Sequence, residues 1–129
     1  MTPRSRFRIS PSQARWSVTG VALVAVLFGS LVPGGTLPFS IDMEPHMKHV
    51  VAFSLLGFLF TLALEADWRR AMAAALVLGS LGFLIEVAQL FIPDRSFLWI
   101  DVAAGFGGAL GGAMFGVVLR WFVGARSEV

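Results

Sequence analysis

The chain has 129 residues, of which 57% are apolar and 14% are charged, whereas a soluble domain carries about 25% charged residues. A chain this short buries too small a share of its surface to hide that much apolar area from water, so the composition excludes a typical soluble enzyme, a disordered tail and a secreted disulfide scaffold. The absence of cysteine also excludes thiolate catalysis and cysteine metal sites. These features predict an integral membrane protein with about four helical spans.

Four charge-free runs mark the predicted spans, at residues 16–41, 50–64, 71–85 and 102–119. The second and third runs contain only 15 residues each, and a helix needs about 20 residues to cross the hydrocarbon. These two helices therefore have to draw polar residues into the outer part of the bilayer. In the first run, Pro33, Gly34 and Gly35 predict a helix end followed by a loop. We expect this span to be retained, because no A-x-A-like cleavage site follows Val32.

The basic residues predict the orientation of the spans. Eight arginines lie on one side of the predicted bundle, and only Lys48 and Arg95 lie on the other, which places both termini in the cytoplasm. The net charge is only +2, and the arginines flank apolar runs, so we expect no nucleic-acid partner. The eight arginines are Arg4, Arg6, Arg8, Arg15, Arg69, Arg70, Arg120 and Arg126.

The predicted fold is therefore all-α, an integral membrane bundle of four transmembrane helices with both termini cytoplasmic. A basic cytoplasmic segment covers residues 1–15, the transmembrane domain covers residues 16–124, and a cytoplasmic tail covers residues 125–129. The four tryptophans agree with these spans, because each stands at a predicted span end, where amphipathic rings favour the headgroup region. They are Trp16, Trp68, Trp99 and Trp121.

Small residues repeat at every fourth position in the fourth span, in two parallel rows. Such rows let helix backbones approach closely in lipid, where dispersion and weak hydrogen bonds replace the hydrophobic drive. We expect them to pack within the monomer, with a homo-oligomer through Gly108, Gly112 and Gly116 as the alternative. The rows are Ala104, Gly108, Gly112 and Gly116, and Gly105, Ala109 and Ala113.

Several polar residues are predicted to meet near the outer face. His49 lies 16 residues from Glu65, and Glu86 lies 16 residues from Arg70, which puts both about 24 Å along their helices from the cytoplasmic edge. Ionisable residues at such depths usually face a bundle interior, a partner or a wet cavity. We therefore predict an outward-facing pocket whose ligand-binding residues are His49, Lys48, Glu86, Gln89, Arg95 and Asp101. The alternative is a set of structural salt bridges that tie the spans together.

A metal site is a further interpretation of these residues. His46 and His49 are spaced i, i+3, and Glu86 with Asp101 would complete a nitrogen and oxygen donor set. His46 is expected to point towards the headgroups beside Pro45, a first-turn proline. The sequence-based prediction therefore includes no metal and no cofactor.

Two segments resemble the motifs of the VanZ-like membrane protein family. The run HVVAFSLLGF from His49 is similar to its "DKxxHFxxFxxLG" segment. The runs EVAQLFIPDR from Glu86 and DVAAGFGGA from Asp101 resemble its "E-xx-Q-xxx-P-x-R" and "D-x-x-x-N-xx-G-A" elements. The resemblance covers roughly residues 44–116, and Gly105 stands where the family normally carries Asn. It implies a cell-envelope role, since the family's namesake is associated with resistance to the glycopeptide teicoplanin.

The sequence thus predicts a multi-pass protein of a bacterial inner membrane. Its outward pocket would bind an anionic or amphiphilic ligand, such as a lipid, a cell-wall precursor or a glycopeptide, with Arg95 paired to a phosphate or carboxylate. One alternative is a membrane-embedded enzyme acting on a lipid headgroup, with His49 as general base and Glu86 as general acid. A structural or accessory membrane subunit is the other. We assign no catalytic residue, because the sequence offers no obvious nucleophile.

Overall fold

Four helices make up the fold. The computed structural model describes residues 9–33 and 42–126. Its helices are α1 (Pro11–Leu31), α2 (Pro45–Ala63), α3 (Trp68–Gln89) and α4 (Trp99–Arg126), and the described residues include no strand. All four helices are long and apolar enough to cross a membrane. The all-α four-span prediction is confirmed, and the cytoplasmic placement of the termini stays a prediction.

The helices extend beyond the charge-free runs that mark them in the sequence. The helices α2 and α3 have 19 and 22 residues, so polar residues lie inside both, as predicted. The helix α1 begins at Pro11, within the segment predicted to precede the transmembrane domain, and α4 continues past residue 124 to Arg126. The first helix ends at Leu31, just before the predicted break at Pro33. The predicted loop residues 34–41 and the arginines Arg4, Arg6 and Arg8 lie outside the described residues.

Local hydrogen bonds explain where two of the helices begin. The Ser10 hydroxyl accepts from the Gln13 backbone N–H at 3.1 Å, and the Gln13 side chain accepts from the Ser10 N–H at 2.9 Å. This capping box satisfies two otherwise unpaired donors, and Pro11 follows in the first turn, where proline is favoured. At α3, the Asp67 carboxylate accepts from the Arg70 N–H at 2.9 Å. Both caps lie at the same end of the bundle.

The small residues of α4 let it pack closely on α2. A Cβ atom at Gly108 would lie 2.6 Å from the Val50 carbonyl oxygen, and one at Gly112 would overlap the Ser54 carbonyl. The second row is also buried, since Ala109 and Ala113 have no exposed surface. Intramolecular packing of both rows is therefore confirmed.

The predicted homo-oligomer uses the row Gly108, Gly112 and Gly116. Within one chain this row contacts α2. Outward positions on the same helix are Gly107 and Gly111, where an added Cβ would meet nothing within 4 Å. Self-association itself stays a prediction.

The first helix is peripheral, and one end of the bundle is basic. Thr19 is the only buried residue of α1, and its hydroxyl donates to the Arg15 carbonyl at 2.8 Å. At the same end, Arg15 pairs with Glu65, and Arg120 donates to the Ala66 carbonyl at 3.2 Å. Of the arginines predicted to lie in the cytoplasm, Arg15 and Arg120 thus share the end at which α1 and α3 begin.

The tryptophans lie on the surface near helix ends, as predicted for an aromatic belt. Trp68 and Trp99 are the first residues of their helices. All four tryptophan side chains are exposed, from 43% at Trp16 to 70% at Trp99, so none of them fills the core.

Candidate functional site

Three ionisable side chains meet at the opposite end of the bundle from Arg15 and Arg120. His49 lies near the start of α2, Glu86 near the end of α3, and Asp101 in the first turn of α4. The three helices bring these residues together because α2 and α4 begin, and α3 ends, at the same end. We call His49, Glu86 and Asp101 the His–Glu–Asp cluster.

The cluster is tight and buried. His49 Nε2 lies 3.1 Å from Glu86 Oε1, and one ligand atom from each of the three residues lies within 4.8 Å of the others. Glu86 has no exposed surface, Asp101 is 5% exposed, and the His49 side chain is 13% exposed. The contact between His49 and Glu86 confirms that these two residues lie at one depth.

Each of the first two side chains is held by a backbone group. His49 Nδ1 lies 3.2 Å from the Pro45 carbonyl oxygen, and since a carbonyl can only accept, Nδ1 is assigned the proton. The Leu98 N–H, just before α4, donates to Glu86 Oε2 at 3.1 Å. Glu86 thus satisfies a backbone donor at the start of α4, where acidic groups are favoured by the helix dipole.

One buried side-chain atom from each cluster residue has no hydrogen-bond partner. His49 Nε2, Glu86 Oε1 and Asp101 Oδ1 are all buried and unpaired among the described residues. The distance between His49 and Glu86 is short enough for a hydrogen bond, but its angles do not meet those of one. Buried polar atoms without partners are rare, because each costs roughly 1–3 kcal/mol. Three of them in one cluster are therefore an unusual feature of this bundle.

The other predicted ligand-binding residues lie apart from these atoms. Gln89 Nε2 donates to the Ser30 carbonyl at 2.9 Å, and an Arg95 Nη donates to the Val32 carbonyl at 3.1 Å. Both bonds fasten the end of α1 to α3 and to the loop after it. Arg95 forms no salt bridge within the described part of the chain, and its Nε is buried and unpaired. Lys48 is exposed.

The cluster is packed and borders neither of the surface cavities found in the described structure. One cavity is lined by residues of α1 and α2 near the basic end, among them Arg15 and Thr19. The other lies between α3 and α4, against Met72 and Phe106. The outward-facing pocket, and the ligand-binding role of its six residues, therefore stay predictions.

Comparison with known proteins identifies the family. The family model described as VanZ/LLP1 matches residues 4–120, which is most of the chain. The chain belongs to the VanZ/LLP1 family. The match confirms the resemblance and extends it over the first helix, which the motifs do not cover. No curated protein and no solved structure matches the chain significantly.

The three cluster residues are the His, Glu and Asp of the motifs by which the chain resembles VanZ-like proteins. Gly105, which replaces the usual Asn, lies one turn beyond Asp101, and a Cβ there would be 3.7 Å from Phe53 Cδ2. The Phe53 ring is stacked with the His49 ring, with centroids 6.1 Å apart and 6° between planes. Position 105 therefore faces the ring that supports His49.

The sequence contained almost no signal for the backbone groups that bond to the side chains of this VanZ/LLP1 site. The carbonyls of Ser30, Val32 and Pro45 and the N–H of Leu98 carry no side-chain information. Of the four contacts, only the one with Pro45 could be predicted, because a proline in the first turn of α2 places its carbonyl one turn from His49.

Proposed function

We propose that this VanZ/LLP1 protein binds the anionic headgroup of an amphiphile where the His–Glu–Asp cluster and Arg95 lie. The amphiphile would be a lipid, a lipid-linked cell-wall precursor or a lipoglycopeptide of the envelope. In this proposal the protein lies in a bacterial inner membrane with the cluster near the outer face.

The observation that carries the proposal is the set of unpaired, buried atoms of the cluster. Purely structural polar groups in a membrane bundle are expected to pair with one another, because an unpaired polar group in hydrocarbon costs several kcal/mol. Here His49 Nε2, Glu86 Oε1 and Asp101 Oδ1 are buried without a hydrogen bond, in three residues that lie together. Gln89 is the contrast, since its side chain is bonded to the Ser30 carbonyl and serves to hold α1.

Arg95 supplies the positive charge that an anionic headgroup needs. It forms no salt bridge with a described residue, and its buried Nε keeps an unused N–H. A guanidinium presents several donors in one plane and suits phosphate or carboxylate. Since Arg95 lies in the loop between α3 and α4, a headgroup reaching it would lie beside both helix ends of the cluster.

Binding can be tested on the purified full chain in mild detergent by native mass spectrometry. The protein would be titrated separately with phosphatidylglycerol, a polyprenyl phosphate and teicoplanin, with phosphatidylcholine as the zwitterionic control. We expect one anionic amphiphile to bind more tightly than phosphatidylcholine, and Arg95→Ala to weaken that binding at least about tenfold, which corresponds to about 1.4 kcal/mol. The matched control is Arg70→Ala, which removes an exposed arginine at the other end.

Two outcomes would refute the proposal. One is equal binding of all four amphiphiles, and the other is an equal loss of affinity in Arg95→Ala and Arg70→Ala. Equal binding would show that the protein has no preference for an anionic headgroup, and equal losses would show only a general attraction for anionic lipid.

Orientation can be tested because the chain has no cysteine. We expect Ser96→Cys, in the loop beside the cluster, to react with a membrane-impermeant maleimide in intact cells. Glu65→Cys, in the turn between α2 and α3, should react only after the cells are opened. The reverse pattern would place the cluster on the cytoplasmic side.

A membrane-embedded enzyme is the second candidate, and the His49 geometry favours it. Because Nδ1 donates its proton to a hydrogen bond with the Pro45 carbonyl, His49 presents Nε2 as a base. This atom lies 3.1 Å from Glu86 Oε1, so a base and an acid lie side by side. If the protein hydrolyses one phosphodiester bond of the headgroup with water, purified protein should release glycerol phosphate or glycerol from phosphatidylglycerol, and His49→Ala should abolish the release. No release above that of His49→Ala would reject this candidate.

A further inference from the structure

We propose that the His–Glu–Asp cluster is a binding site for a divalent transition-metal ion, with Zn²⁺ as the ion that fits best. The proposal starts from the number and kind of the donor atoms. One imidazole nitrogen and two carboxylate oxygens, each from a different helix, lie within 4.8 Å of one another. Three such protein ligands with an open fourth position are typical of zinc sites that bind a further molecule.

The protons leave only lone pairs facing the centre of the cluster. The Pro45 carbonyl holds the proton of His49 on Nδ1, so Nε2 of the neutral ring is an acceptor. Ionised carboxylates are also acceptors only. The described residues provide no donor to Nε2, Glu86 Oε1 or Asp101 Oδ1. Three acceptors that repel one another become favourable neighbours when a cation binds between them.

The charge of the cluster leads to the same conclusion. Glu86 and Asp101 are 0% and 5% exposed, and burying two carboxylates side by side is costly unless positive charge compensates them. The nearby basic side chains do not pair with them, because Lys48 is exposed and Arg95 donates to the Val32 carbonyl. A divalent cation would neutralise both carboxylates at once.

The supporting contacts match those of known metal sites. A metal-binding histidine usually donates its other N–H to a carbonyl or carboxylate, and ligating carboxylates are usually hydrogen-bonded in turn. His49 lies against the Pro45 carbonyl, and Glu86 Oε2 accepts from the Leu98 N–H. The atoms left over, Nε2 and Oε1, are those that would bind the ion.

The donor set also selects the kind of metal. Ca²⁺ takes six to eight oxygen ligands, and Mg²⁺ prefers an octahedron of oxygens, so neither favours a site with one imidazole and two carboxylates. Zinc–ligand distances of about 2.0–2.2 Å place ligands of a tetrahedron roughly 3.4 Å apart. His49 Nε2 and Glu86 Oε1 are already 3.1 Å apart, and a ligand atom of Asp101 lies within 4.8 Å of the other two residues' atoms, so a movement of Asp101 on the order of 1 Å closes the site.

A bound cation would deepen the proposed function. Two carboxylates repel an anionic headgroup, whereas the open position of a zinc ion accepts a phosphate or carboxylate oxygen. In this respect the inference rests on the proposed function, but zinc binding can be measured without any lipid.

The test uses the full chain purified in detergent, stripped with a chelator and passed through a desalting column. Zinc would then be titrated against a competing indicator, with stoichiometry measured by plasma mass spectrometry. We expect one zinc per chain, a rise in the melting temperature on adding zinc, and an X-ray absorption spectrum with one imidazole and oxygen ligands. The rise in melting temperature needs no variant, so it remains informative if a substituted protein fails to fold.

Variants locate the site. We expect His49→Ala and Asp101→Asn to weaken zinc binding by at least about 10–100-fold, since even the outer partners of metal ligands contribute that much. The matched controls are His46→Ala, one turn earlier on α2, and Glu44→Gln, an exposed acid just before that helix. Both should bind zinc as the natural chain does.

Three results would overturn the metal site: zinc affinity weaker than about 1 mM, no rise in melting temperature, or equal losses in His46→Ala and His49→Ala. Protein that binds no zinc but still binds an anionic amphiphile through Arg95 would refute the metal site alone. Protein that binds zinc but no amphiphile would refute the proposed function alone.

Discussion

The close contact between α2 and α4 makes Gly108→Ala a sensitive test of the fold. The added Cβ would lie 2.6 Å from the Val50 carbonyl oxygen, 3.1 Å from Val50 Cα and 3.2 Å from the Ser54 nitrogen. These are backbone atoms, so the helices must separate by about 1 Å to restore an ordinary contact near 3.5 Å. Such overpacking costs about 1–3 kcal/mol, and the better helix propensity of Ala returns up to about 1 kcal/mol.

We therefore expect Gly108→Ala to lower the free energy of unfolding by about 1–2 kcal/mol. The neighbouring Gly107→Ala is the control, because a Cβ there meets nothing within 4 Å. It should leave stability unchanged or raise it by up to about 1 kcal/mol. Both values can be measured by following tryptophan fluorescence while the protein is unfolded with a denaturing detergent.

The same substitution tests how the packing supports the cluster. His49 precedes Val50 on α2, and Asp101 lies on α4, so separating these helices moves two cluster residues apart. Gly108→Ala should therefore also weaken zinc binding, whereas Gly107→Ala should not. Equal stability of the two variants would refute the close packing. A change in oligomeric mass for Gly108→Ala alone would show instead that this row meets a second chain.

Three further experiments test single interactions. In Glu86→Gln the amide can accept from the Leu98 N–H and donate to His49, so the stability of the metal-free protein should stay equal or rise by about 1 kcal/mol. Zinc binding should be lost. A marked loss of stability in chemical unfolding would show instead that Glu86 has a structural role. A double-mutant cycle on Arg15 and Glu65, whose side chains are 39% and 58% exposed, should give a coupling below about 1 kcal/mol, and a larger value would contradict a solvent-screened pair. Asp67→Ala removes the α3 cap and should lower unfolding free energy by about 1 kcal/mol, with Asp94→Asn as a control outside the helices.

Much of the fold could be predicted because a bilayer leaves the chain few choices. Backbone groups in hydrocarbon must be satisfied internally, which makes each apolar run a helix. The fixed rise per residue then brings His49 level with Glu86 from a simple count along two helices. The helix ends could not be predicted in this way, since charge-free runs mark only the apolar centre. Pro11 and Arg126 lie outside those runs, yet both belong to helices.

The side-chain partners at the site could be predicted only in part. Depth is a property of position along one helix, but lateral distance depends on how the helices turn and pack. Asp101 faces the cluster, whereas Gln89 and Arg95, at similar predicted depths, bond to the end of α1. Those bonds end on carbonyls of Ser30 and Val32, and backbone acceptors look alike at every residue of a sequence.

The replacement of the family's Asn by Gly105 can be understood from the packing around Phe53. The Phe53 ring lies 3.7 Å from the Cβ position of Gly105 and 3.1 Å from that of Gly82, so it occupies the space between two glycines. It is also stacked with the His49 ring. His49, Glu86 and Asp101 keep the residue types of the motifs that the chain resembles, and the change falls on the apolar side of the histidine. In this chain the Phe53 ring thus packs beside the imidazole where the motif's amide would otherwise face it.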